Sequence, residues 1–214
     1  WWLVWLAGFA FAFLPLSVFF LIGLWNGWFA LRSEIQLEGL GRIALSAIFV
    51  GFFEEVLFRG IAFGILIRLL GSFWAGVLVS AFFASVHFLR PGNRVTNEVN
   101  WLSGWHQMLA VFDSVPEMPL LAWGWGTLFF IGLILAFAVN RTRSLWHAFG
   151  LHAGWIFGQQ GINFIAKWSF LGDLSNGVLL LGPTLVSGMV PTGVIPLLVI
   201  SGCGILSWAW LRRR

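Results

Sequence analysis

The feature that most constrains this chain is a succession of apolar runs of about 20 residues or more, because a helix of that length crosses the hydrocarbon core of a bilayer. Six such stretches are read along it, over residues 1–30, 41–70, 73–89, 120–139, 144–166 and 194–211. A membrane barrel would instead show short alternating segments separated by turns. The expected fold is therefore all-α: a polytopic bundle of about six transmembrane helices, with an interfacial helix and a buried polar cavity, forming a single transmembrane domain over residues 1–214. Composition agrees, since 59% hydrophobic and 9% charged residues leave too little polar surface for a soluble globule of 214 residues. Trp (15) and Phe (23) are abundant, and several Trp lie near the ends of runs, as in the aromatic belts at membrane interfaces.

The formal charge of +4, from 12 basic against 8 acidic residues, reflects scarce acids rather than a basic patch, which argues against nucleic acid as a partner. The single Cys203 excludes an intrachain disulfide and a cysteine zinc cluster. Trp1 stands where an initiator Met is expected, so native residues are expected to precede it; the first run lacks an n-region and a clear cleavage site and does not read as a signal peptide.

The connections are legible in outline. Pro15 predicts a kink in the first span. Gly71 and Ser72 make a tight turn between the second and third spans. Residues 101–112 read as an interfacial helix inside the polar stretch 90–119, Ser144 as an N-cap for the fifth span, and residues 172–193 as an irregular, partly re-entrant segment. Gly60 with Gly64, and Gly150, Gly154 and Gly158 every four residues, form faces on which helices can approach closely. Six spans put Arg68, Arg141, Arg143 and the three terminal arginines on one side without any acid, which favours a cytoplasmic C-terminus in a multi-pass, bacterial-type cell membrane.

Against this apolar background, residues 53–60 place Glu54, Glu55 and Arg59 at lipid depth, where ionisable groups imply function. Glu55 and Arg59 are four apart with the acid first, the order that favours an ion pair along a helix. Glu54 lies roughly 100° further round and must find another partner or stay protonated. His87 on the third span and His152 on the fifth complete a set able to activate water, either by general-base action or by holding a metal with an open position. His147, without a matching motif, reads equally well as a helix-contact residue.

Together these pieces resemble the CAAX prenyl protease and bacteriocin-processing family of intramembrane proteases, also called the CPBP or Abi family. Its EExxxR motif is matched by Glu54, Glu55 and Arg59, its FxxxH by Phe83 and His87, and the start of its HxxxN by His152, with Ile156 where Asn is usual. The likeness covers roughly residues 40–206. It implies an intramembrane endopeptidase in which Glu54 and His87 activate the water, His152 assists the oxyanion, and Glu55 with Arg59 fixes the helix. The substrate implied is a membrane-associated peptide or protein, either a CAAX-type prenylated tail or a bacterial precursor. No HExxH is present, which favours metal-independent chemistry; zinc is the candidate ion if one is bound, on Glu54, His87 and His152. Ile156 neither donates to an oxyanion nor orients water, and Gln159, one turn on, is the side chain able to replace the missing amide. Two other classes stay open: a weakened or inactive scaffold of the same fold, and an ion-coupled transporter, which the absence of an internal repeat disfavours.

Overall fold

Backbone polar groups in lipid find partners only within the protein, so the apolar runs close into helices. In the computed structural model, which describes residues 1–35, 37–89, 100–110, 117–169, 181–185 and 190–213, these are α1 (Trp2–Trp25), α2 (Leu37–Glu54), α3 (Phe63–Val86), α4 (Ser103–Ala110), α5 (Met118–Thr142), α6 (Trp146–Ile165) and α7 (Val194–Arg212). A π-helical stretch, Glu55–Ala62, joins α2 to α3 without a break. The chain is an all-α membrane helix bundle.

Among the described residues four helical runs are long and apolar enough to cross a membrane: Trp2–Trp25, Glu38–Val86, Met118–Thr142 and Val194–Arg212. The expectation of about six spans differs from this number for two physical reasons. The second run, 49 residues long, turns at Gly71, whose φ of 77° and ψ of 168° only glycine adopts freely. The halves on either side of that turn pack together, with the Phe58 and Phe83 rings 5.2 Å apart. The other difference is α6, whose polar side chains His147, His152 and Gln159 are buried inside the bundle, so that its sequence is less apolar than that of a lipid-facing helix.

The glycine stripe of α6 lies against α1, as its spacing predicts. A Cβ at Gly150 would meet the Trp5 carbonyl, one at Gly154 would meet the Phe9 carbonyl, and one at Gly158 would meet Leu16. The Gly60 and Gly64 face does not behave this way. A Cβ at Gly60 would make only ordinary contacts, with Leu145 and the Glu55 carbonyl, and Gly64 faces open space.

Local details also depart from the sequence reading. The first helix continues through Pro15 and stops at Trp25, short of residue 30, because Phe29–Leu31 (β1) pairs antiparallel with Ala166–Trp168 (β2). Helix α6 is capped by Leu145 rather than Ser144, whose Oγ accepts the Trp146 N–H at 3.4 Å. Gly182–Leu185 (β3) pairs with Val190–Thr192 (β4), so part of the segment read as irregular is a two-stranded hairpin. Residues 172–180 and 186–189 of that segment, and residues 111 and 112 of the interfacial helix, lie outside the described residues.

Candidate active site

The double-glutamate motif sits where the helix changes period. The N–H of Phe63 bonds to the Phe58 carbonyl, five residues back, as in a π-helix; such widened turns occur mostly as single bulges at functional sites. Within this stretch Arg59 Nη1 donates to Glu55 Oε1 at 3.0 Å, and both residues are 1% exposed. Arg59 Nη2 also reaches the Gly132 carbonyl on α5 at 3.5 Å, and the guanidinium carbon lies 4.4 Å from the Phe83 ring centre. A buried charge is costly unless paired and hydrogen-bonded, and these contacts compensate it.

The same Glu55 Oε1 accepts a hydrogen bond from His152 Nδ1 at 2.8 Å. Glu55 is thus shared between the arginine of its own helix and the imidazole of α6. Spacing along one helix predicts the first bond and contains no information about the second.

His87 is held differently. It caps α3. The Phe83 carbonyl, four residues back, lies 2.7 Å from His87 Nδ1 and accepts a hydrogen bond from its N–H, since a carbonyl only accepts. This gives the four-residue spacing of Phe83 and His87 a physical basis. The Phe83 ring adds packing, with its centre 4.5 Å from that of His87 and 5.8 Å from that of His152.

With both Nδ1 atoms engaged, each imidazole presents Nε2 to Glu54. His87 Nε2 and His152 Nε2 are each 3.7 Å from Glu54 Oε2, an oxygen that has no hydrogen-bond partner among the described residues. Glu54 thus faces the imidazoles of α3 and α6 rather than Arg59. The two carboxylates of the motif therefore face different nitrogens of one ring, His152.

These groups line a cavity of about 340 Å³. Ile156 and Gln159 of α6 are in its wall, with Trp155 and Leu128 among the apolar side chains and Val190 and Pro191 of β4 also lining it. Ile156 contributes only hydrocarbon. The buried Gln159 donates one amide hydrogen to Asn163 Oδ1 at 3.4 Å. Ser46 and Gln160, which the sequence does not single out, line the cavity as well. His147 belongs elsewhere: its Nε2 is 2.6 Å from Ser207 Oγ and its ring stacks on Trp210, as a helix-contact residue does.

A metal on Glu54, His87 and His152 requires the three donors to gather round one point. Among the described residues no group of three His, Cys, Asp or Glu side chains is arranged to hold an ion, and the three candidate ligands do not gather round one point in this conformation.

No curated protein and no solved structure gives a significant match to this chain. A family model described as type II CAAX prenyl endopeptidase Rce1-like matches residues 36–158, which include the double-glutamate motif, His87, His152 and Ile156. Glu54, Glu55, Arg59, Phe83, His87 and His152 thus all fall inside a match that covers more than half of the chain, and the protein belongs to the type II CAAX prenyl endopeptidase Rce1-like family.

Proposed function

We propose that the protein is an intramembrane endopeptidase that hydrolyses a peptide bond of a membrane-associated peptide or protein, with CAAX-type lipidated tails and bacterial precursors as the candidate classes. The observation that carries this reading is the approach of two imidazole Nε2 atoms to the unpartnered Glu54 Oε2 inside a mostly apolar cavity. Glu54 takes a proton from a water held between it and His87 Nε2, and the hydroxide attacks the scissile carbonyl. The oxyanion then lies against His152, which donates from Nε2 as an imidazolium because its Nδ1–H is committed to Glu55. Collapse of the tetrahedral species breaks the C–N bond, and the proton on Glu54 passes to the leaving amine.

Family membership supports the protease class. A second reading, a scaffold of the same fold with little or no activity, is favoured by Ile156, an aliphatic side chain in the cavity wall where an amide is usual. Reconstitution in liposomes with a membrane-anchored fluorogenic peptide separates the two. The hydrolase reading expects cleavage that Glu54→Gln and His87→Ala each abolish while the variants remain folded. Retained cleavage in either variant overturns the mechanism, and absence of cleavage by the unaltered protein across both candidate substrate classes favours the scaffold.

A further inference from the structure

We infer that Trp168, at the end of β2, is a positioning residue for the cavity. Acting through Asn163, it turns the Gln159 amide so that Oε1 is presented to the cavity and accepts a main-chain N–H of the bound peptide. The peptide nature of the ligand rests on the hydrolase reading; the orientation of the amide does not.

The first observation is a chain of three side chains whose direction is set by its outermost member. An indole N–H donates and never accepts, so the Asn163 atom 3.1 Å from Trp168 Nε1 is the amide oxygen, Oδ1. The same Oδ1 lies 3.4 Å from the Gln159 amide, which meets an acceptor only with its NH2 group, Nε2. One donor-only ring therefore decides which way round two amides stand, although the two ends of an amide have nearly the same shape. Gln159 is 5% exposed and belongs to the cavity wall. With Nε2 held by Asn163, Oε1 lies on the other edge of the planar amide, and among the described residues nothing donates to it. A peptide N–H is costly to bury unpaired, and most side chains of this wall are hydrocarbon. An open acceptor there is the group that a peptide main chain entering the cavity needs.

The second observation is how the ribbon of β1 and β2 holds this chain in place. Trp168 pairs with Phe29 across the two strands, and their ring centres lie 4.6 Å apart. The next residue, Ser169, donates its N–H to the Trp28 carbonyl at 2.8 Å. Arg32, just beyond β1, binds the last turn of α6 twice. Its main-chain N–H donates to the Ile165 carbonyl at 3.0 Å, and its Nη2 donates to the Asn163 carbonyl at 3.2 Å. Carbonyls at a helix end need such outside donors, because the helix supplies none. The ribbon thus grips Asn163 by its main chain through Arg32 and by its side chain through Trp168. Both contacts act on the turn of α6 that follows Gln159, which ties the two short strands to the wall of the cavity.

The test removes single main-chain N–H groups from the ligand. Fluorescent membrane-anchored peptides of both candidate classes are made with each amide in turn replaced by an ester, and their binding to the full chain in lipid nanodiscs is measured in a Glu54→Gln background. Replacement at one position is expected to weaken binding about two- to tenfold, the effect of one hydrogen bond. That penalty should vanish in Gln159→Leu and shrink in Trp168→Phe, which keeps an aromatic ring and loses the N–H. Asn163→Leu breaks the same link and replaces Trp168→Phe if that variant does not fold. A penalty that persists in Gln159→Leu, the lack of any sensitive position, or failure of every peptide to bind overturns the inference. So does a Trp168→Phe variant that keeps the full penalty, or that weakens all peptides alike while its unfolding midpoint falls, as a purely structural residue would. Cleavage of the all-amide peptides by the protein with Glu54 intact is read separately. The expected binding pattern without cleavage overturns the hydrolase reading while the role of Trp168 stands.

Discussion

Glu55 and His152 are joined by a 2.8 Å hydrogen bond between Oε1 and Nδ1, although 97 residues separate them in the chain. Because Arg59 donates to the same oxygen, Glu55 links the charge of its own helix to the ring that faces Glu54. This gives the second glutamate of the motif two separable tasks, neutralising Arg59 and orienting His152.

Loss of the Glu55 charge should therefore be felt in both stability and rate. Glu55→Ala leaves Arg59 as an uncompensated buried charge, a change that costs about 3–5 kcal/mol in comparable buried pairs. Thermal unfolding in detergent should show a large fall in the midpoint. Glu55→Gln keeps the shape and a carbonyl acceptor for His152, so it should fold better than Glu55→Ala and yet cleave more slowly than the unaltered protein. Equal midpoints for the two variants would contradict the linkage.

Phe83 acts through its ring on Arg59 and through its main-chain carbonyl on His87. Removing the ring with Phe83→Ala should cost about 3–5 kcal/mol, the usual range for a buried Phe. Phe83→Leu keeps most of the volume and the carbonyl, so its cleavage rate should stay within about tenfold of the original while its unfolding midpoint falls modestly. A loss of activity in Phe83→Leu as large as that of His87→Ala would show that the ring takes a direct part in the chemistry.

The cavity wall sets the third prediction. Placing an amide there with Ile156→Asn should raise the turnover rate, toward the roughly 10²–10³-fold attributed to one oxyanion donor, if no other group already fills the role. Gln159→Ala should lower the rate of the unaltered protein and matter less once Ile156→Asn is present. An unchanged rate in Ile156→Asn, together with a loss in Gln159→Ala, would identify Gln159 as the working donor.

The contact between α1 and α6 gives a stability prediction far from the chemistry. Gly150→Ala drives a methyl into the Trp5 carbonyl and should destabilise by about 1–3 kcal/mol, the range for overpacking. Gly64→Ala, facing open space, should be neutral or slightly stabilising, through the higher helix propensity of alanine. Similar unfolding midpoints for the two variants would mean that the close approach is not maintained in the membrane.

What the sequence makes legible follows from how local each feature is. The Glu55–Arg59 pair, the turn at Gly71 and the glycine stripe of α6 are properties of neighbouring residues on one element, so spacing predicts them. The bond from Glu55 to His152, the reach of Arg59 to the Gly132 carbonyl and the lining of the cavity by Val190 and Pro191 join distant segments. Their geometry depends on how helices dock, which periodicity does not encode. The π-helical stretch is intermediate: it is local, yet nothing in Glu55–Ala62 distinguishes it by composition from ordinary helix. The partner of Glu54 shows the same division, for the helical spacing excludes an equal share of Arg59 but does not point to the imidazoles of α3 and α6.

The central claim is that Glu54 and His87 act on one water, and the most direct measurement is a kinetic double-mutant cycle in liposomes using a membrane-anchored peptide. Groups that act as a unit are strongly non-additive. Glu54→Gln, His87→Ala and the double variant should therefore all fall to about the same residual rate, with unfolding midpoints close to that of the unaltered protein. Losses that multiply in the double variant would show that the two residues act independently and would contradict the account.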